Sequence, residues 1–79
     1  MAKRMIKLTF MGEAVKKPLT FRMAKRYDVV PNIRRARVTD KVGEIVLELD
    51  GKEADLQKGI KFLTRSGVIV EPVVGDIVE

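Results

Sequence analysis

The side chains that could do chemistry in this 79-residue chain are few. Cysteine and histidine are both absent, which removes thiolate and imidazole, the usual nucleophile, base and soft metal ligand. Ser66 is the single serine, beside an expected helix end. Glu48 and Asp50 stand two residues apart on an alternating segment, a spacing that puts both carboxylates on one strand face. A carboxylate pair catalyses when its two environments hold the pKa values apart. Alternating acids on an outer strand face more often serve solubility. The expectation is a binding domain, not an enzyme, with no cofactor and no metal.

The cations form the other chemical group. Arg34, Arg35 and Arg37 cluster in sequence and, with Lys16, Lys17, Lys25 and Arg26, offer a basic patch for phosphates or an acidic partner. Residues 1–41 hold twelve Lys/Arg against three Asp/Glu, whereas residues 42–79 hold four against eight, within a net charge of +5. Such a split suits nucleic acid, an acidic partner, or two faces meeting head to tail in a dimer. It equally describes a solvated, salt-laced surface. Against nucleic acid, the segment Gly43–Asp50 carries no aromatic residue for base stacking and presents acids outward. There is also no Gly-x-x-Gly loop.

The elements that position these residues follow from periodicity. Lys3–Phe10 alternates, with Ile6, Leu8 and Phe10 on one face, as in a half-buried strand. Pro18 suits the first turn of a helix, and Leu19, Met23 and Tyr27 recur every four residues with Ala24 beside them. Pro31 stops that helix before Val30. Asn32–Asp40 reads as a second strand with Ala36 and Val38 facing one way and Arg35 and Arg37 the other. Ile33 and Arg34 break its phase, which predicts a bend or bulge. A turn over 40–43 leads to strand 43–50, with Ile45, Leu47 and Leu49 inward. Helix 53–66 carries Leu56, Ile60 and Leu63, Gly67 caps it, and Val68–Val74 forms a last strand before a polar tail from about residue 75. Glycines recur every eight residues from Gly43 to Gly75, but the segments between them differ in type, so they are no repeat.

One domain over 1–79 is the expectation, in the order strand-helix-strand, strand-helix-strand. With right-handed crossovers, the simplest solution is a ferredoxin-like α+β sandwich. It has an antiparallel sheet of order 4-1-3-2 and two helices on one face. That order makes strands two and four the edges, where Pro72 and the arginines of strand two belong. No apolar run approaches the ~20 residues that span a bilayer, and Met-Ala-Lys-Arg leads into no signal sequence. A cytoplasmic location without membrane insertion is the default.

From Phe10 to Ala36 the chain resembles the NIL domain, the ferredoxin-like module at the C-terminus of methionine-importer ATPases. The matching residues are Phe10-x-Gly12, Val15, Pro18-Leu19, Ala24, Arg26, Val29, Asn32-Ile33 and Ala36. The second half matches more loosely, through Gly43, Leu49, Ile60 and Val68-x-Val70. The family's Asn-Ile-Leu triplet here reads Asn32-Ile33-Arg34, which changes the lining of any pocket beside it. Phe21, Tyr27-Asp28 and the stretch from Glu71-Pro72 to Asp76-Ile77 are similar to a second branch, in which the domain precedes an iron–sulfur ferredoxin module.

The resemblance implies a regulatory domain, paired as a homodimer, that binds L-methionine or a related sulfur amino acid near the dimer interface. Asn32 is then the first candidate ligand residue, its amide offering both donor and acceptor to a zwitterion. The alternative role for Asn32 is to close the turn after Pro31. Val38 lines the ligand or dimer face, with plain core as its alternative, and Ile33 and Ala36 support the same site. Two other functions stay open. One is a non-enzymatic adaptor docking to a ferredoxin, a transporter ATPase or another sulfur-metabolism partner. The other is electrostatic nucleic-acid binding through Arg34, Arg35 and Arg37.

Overall fold

The computed structural model describes residues 2–73. Strand β1 (Ala2–Met11) is followed by a short 3-10 helix (Gly12–Lys16), helix α1 (Leu19–Tyr27), strands β2 (Val30–Val38) and β3 (Val42–Gly51), helix α2 (Glu53–Arg65) and strand β4 (Ile69–Pro72). The sheet order is β2-β3-β1-β4, with every neighbouring pair antiparallel. This is the ferredoxin-like order 4-1-3-2 read from the other edge. The last strand was expected to reach Val74, which lies outside the described residues.

Alternation dictates the layers. Ile6, Leu8 and Phe10 of β1 and Leu47 and Leu49 of β3 are buried on the helix side of the sheet. They meet Leu19 and Met23 of α1 and Leu56 and Leu63 of α2 in one core, with Tyr27, Ile45 and Ile60 packed partly against it. Removing this apolar surface from water is the main stabilising term, at roughly 25 cal/mol per Å². Each central strand pairs on both sides, and the long β1–β3 register from Ala2↔Gly51 to Met11↔Val42 has no irregularity.

Both helices stop on local chemistry. After α2, Gly67 takes a φ of 92°. Its N–H donates to the Thr64 carbonyl at 3.1 Å, and the Val68 N–H donates to that of Leu63 at 3.0 Å. These are the paired bonds of a Schellman cap, closed by the buried Leu63 and Val68 side chains. After α1, Asp28 does the same work at φ 57°, with the Val29 N–H donating to the Ala24 carbonyl. The helix thus stops before Val30 as expected, but Asp28 and not Pro31 ends it, and Pro31 is already inside β2. An edge strand tolerates it, because half of its N–H groups face away from the sheet.

The expected irregularity in β2 is present. Ile33 pairs with Leu47 and Arg35 with Val46, so Arg34 is an extra residue between them. The bulge keeps both halves of the strand in phase with β3: Ile33, Ala36 and Val38 share the helix-side face, while Asn32, Arg35 and Arg37 share the open face.

Candidate functional site

Two helices cannot cover four strands completely. At the β2 edge the helix-side face is left open, and Ile33 is 56% and Val38 61% exposed. Ala36 between them is exposed as well. The strip ends in an apolar cleft of about 130 Å³ between the 3-10 helix, the start of α1 and the β2–β3 hairpin. Phe10, Val15, Leu19, Val38 and Ile45 are among its apolar lining residues, and Phe21 and Lys17 also border it. Its floor is low because Gly43, opposite both Phe10 and Val38, has no side chain. A Cβ there would touch Phe10 Cβ at 3.7 Å and Val38 Cγ2 at 3.8 Å.

The sequence-derived candidates fall into two groups. Ile33, Ala36 and Val38 lie on one exposed strip, and Val38 also lines the cleft. Asn32 is exposed but on the open face, beside Glu48 in the register. Six residues of extended strand, ~20 Å, separate it from Val38. Of the cleft's other contributors, Lys17 belongs to the expected basic patch, and Phe10, Val15, Phe21 and Gly43 were not among the candidates. Phe21 had a readable signal, being an aromatic outside the Leu19–Met23–Tyr27 stripe. The cleft itself depends on how residues 12–16 coil, and those residues carry no periodicity to read.

The cations do not form one patch. Arg35 and Arg37 stand on the open sheet face around a depression of about 260 Å³ shared with Lys7, Glu44 and Val46. There Lys7 is 3.1 Å from Glu44. Arg34 lies 3.8 Å from Glu48. Lys25 and Arg26 belong to α1, in the helix layer on the other side of the sheet. The Glu48 and Asp50 carboxylates share a face as expected, but Glu48 is turned to Arg34, and Asp50 Oδ1 is buried without a hydrogen-bond partner. No group of three or more acids stands ready for a metal ion among the described residues, nor is any described helix long and apolar enough to cross a membrane.

The chain is an α+β domain of ferredoxin-like topology with an exposed apolar strip along an edge strand and its hairpin. The NIL domain family matches residues 4–72, and the chain belongs to that family. The methionine import ATP-binding protein MetN 1 of Listeria innocua is 30% identical over 74 residues, which cover 89% of this chain and 22% of that protein. MetN of Bacillus subtilis is 28% identical over 74 residues, with the same coverage of 89% and 22%. The chain thus spans about a fifth of the length of the curated relatives it matches. In fold it is similar to the C-terminal domain of an ABC transporter ATP-binding protein from Enterococcus faecalis. The TM-score is 0.79 at 22% identity, over 92% of this chain and 86% of that domain. The de novo designed protein Ferredog-Diesel shares the architecture at a TM-score of 0.56 and 15% identity, over 89% of this chain and 84% of that one.

Proposed function

We propose that this chain is a regulatory ligand-sensing domain that binds L-methionine or a related sulfur amino acid along the β2 edge, where two copies meet. The observation that carries the reading is the uncovered apolar strip Ile33–Ala36–Val38 running into the Gly43 cleft. A thioether side chain needs an apolar slot of this kind, and its polarizable sulfur packs well beside an aromatic ring such as Phe10. The amino acid's charged groups need polar partners at the rim. Asn32 offers a donor and an acceptor, and Lys17 offers an ammonium.

One chain keeps Asn32 and Val38 apart. Antiparallel contact between two β2 edges brings the Asn32 end of one copy beside the Val38 end of the other, with Asn32 still on the open face, so Val38 supplies the apolar slot and Asn32 a polar group at the rim of the shared edge. Family membership supports the regulatory reading, and the relatives named as methionine import ATP-binding proteins make a transport ATPase the natural recipient of the signal.

Amide NMR of the labelled chain, titrated with L-methionine and with L-leucine as control, tests this directly. Saturable shifts at Asn32, Ile33, Ala36 and Val38 with methionine alone are expected. Asn32→Ala should weaken the response about tenfold, the loss of one to two polar contacts, without lowering the unfolding midpoint. Silence up to millimolar methionine would overturn the ligand assignment.

A further inference from the structure

The helix layer carries a second surface, which meets the Gly43 cleft only at Phe21. Helix α1 presents Arg22, Lys25 and Arg26 outward and contains no acidic residue. The ion pairs among the described residues are Arg4–Glu53, Lys7–Glu44 and Arg34–Glu48, and none involves α1. Between these cations lies a wide, open groove bordered by Phe21 and by Phe62 of α2. Phe21 is 64% exposed, the largest exposure among the large apolar side chains described. Lys25 Nζ sits 5.9 Å from its ring centroid, and the Arg26 guanidinium sits 5.6 Å from that of Tyr27. The Tyr27 ring in turn packs on Phe62 at 5.9 Å, which fixes the groove wall.

A solvated helix face normally mixes its signs, because opposite charges three or four residues apart stabilise the helix and like charges oppose it. Arg22 is such a like-charged neighbour of both Lys25 and Arg26, while those two sit in the last turn, where cations suit the helix dipole; the exposed phenylalanine beside them lowers solubility. Both features become favourable when an occupant supplies carboxylates and an apolar side chain together. From that complementarity we infer that the Phe21–Phe62 groove docks an acidic segment of a partner protein. One apolar residue of the segment sits against Phe21 and Phe62, with flanking carboxylates on Arg22, Lys25 and Arg26. Nucleic acid fits less well: one exposed ring offers a single stacking position, whereas a strand needs a succession of them along a basic track. The site shares Phe21 with the Gly43 cleft, and responses at Lys25, Arg26 and Phe62 distinguish it from the β2 reading.

The test uses the 79-residue chain and a synthetic peptide with a Phe-Leu pair flanked on each side by three glutamates. Its control replaces every glutamate with glutamine. The acidic peptide should give saturable amide shifts centred on Phe21, Arg22, Lys25, Arg26 and Phe62, with no effect on Asn32 or Val38. Binding should weaken as salt rises, since screening shortens the reach of exposed charges. The double variant R22E/K25E should lose at least about tenfold in affinity while keeping its unfolding midpoint. The glutamine peptide should not bind. Equal binding of both peptides, shifts centred elsewhere, or no shift with the acidic peptide at millimolar concentration would overturn the proposal. So would a single-stranded oligonucleotide or an anionic phosphatidylserine vesicle occupying the groove more tightly than the peptide.

Discussion

At the scale of single residues, the two helix ends give paired, opposite expectations. Both terminate through a residue in the left-handed region, a glycine after α2 and an aspartate after α1. A Cβ in that region meets its own backbone at a cost of roughly 1 kcal/mol. Gly67→Ala should therefore lower stability by about 1 kcal/mol, while Asp28→Gly should raise it by about 0.5 kcal/mol, the gain being partly offset by the extra freedom of an unfolded glycine. Urea unfolding of the two variants checks both signs. Gly43 differs, because its φ is ordinary and a Cβ there makes only van der Waals contacts. Gly43→Ala should leave the fold intact or stabilise it slightly, since glycine weakens a strand interior. Gly43→Val should also fill the cleft floor. If methionine uses the cleft, the valine variant binds it at least several-fold more weakly, which the same amide titration reads.

At the scale of elements, β2 decides most of what is open on this molecule. Its bulge is legible in the sequence, because Ile33 and Arg34 break an alternation that Ala36 and Val38 resume. Arg34 is the inserted residue, so its removal should leave Ile33 followed directly by Arg35 with both faces unchanged. The variant should fold with the same β2–β3 pairing, visible as unchanged cross-strand contacts by NMR. It should also self-associate more, because a bulge blunts an edge strand that would otherwise accept another strand; light scattering measures this. The strand's start was less legible. A proline after a helical stripe reads as a boundary, but the helix is ended by Asp28, and an edge strand accommodates Pro31. The split of the candidates between two faces was legible only in part: the alternation separates Arg35 and Arg37 from Ala36 and Val38. The face of Asn32 depends on how the bulge is absorbed, which only pairing with β3 decides.

At the scale of the whole molecule, a small core must carry the fold. Chains of this length have stabilities of about 4–12 kcal/mol, at roughly 0.05–0.15 kcal/mol per residue. Leu47→Ala, at a side chain fully removed from solvent, should cost about 2–5 kcal/mol and leave the domain partly unfolded near body temperature. A second copy seated on the β2 edge would cover Ile33 and Val38, which the core leaves exposed, and would add stability by mass action. Binding that favours the folded state raises the unfolding midpoint as the concentration of the binding partner rises. The midpoint of this chain should therefore climb as protein concentration increases from micromolar to millimolar. Val38→Lys places a charge in the contact but leaves the buried core untouched. It should abolish the concentration dependence while keeping the dilute-limit midpoint within a few degrees of the parent. A midpoint that stays flat for the parent across that range would mean that the strip is not covered by a second copy. The methionine site would then have to be complete within one chain, with Val38 and the Gly43 cleft forming it and Asn32 left out.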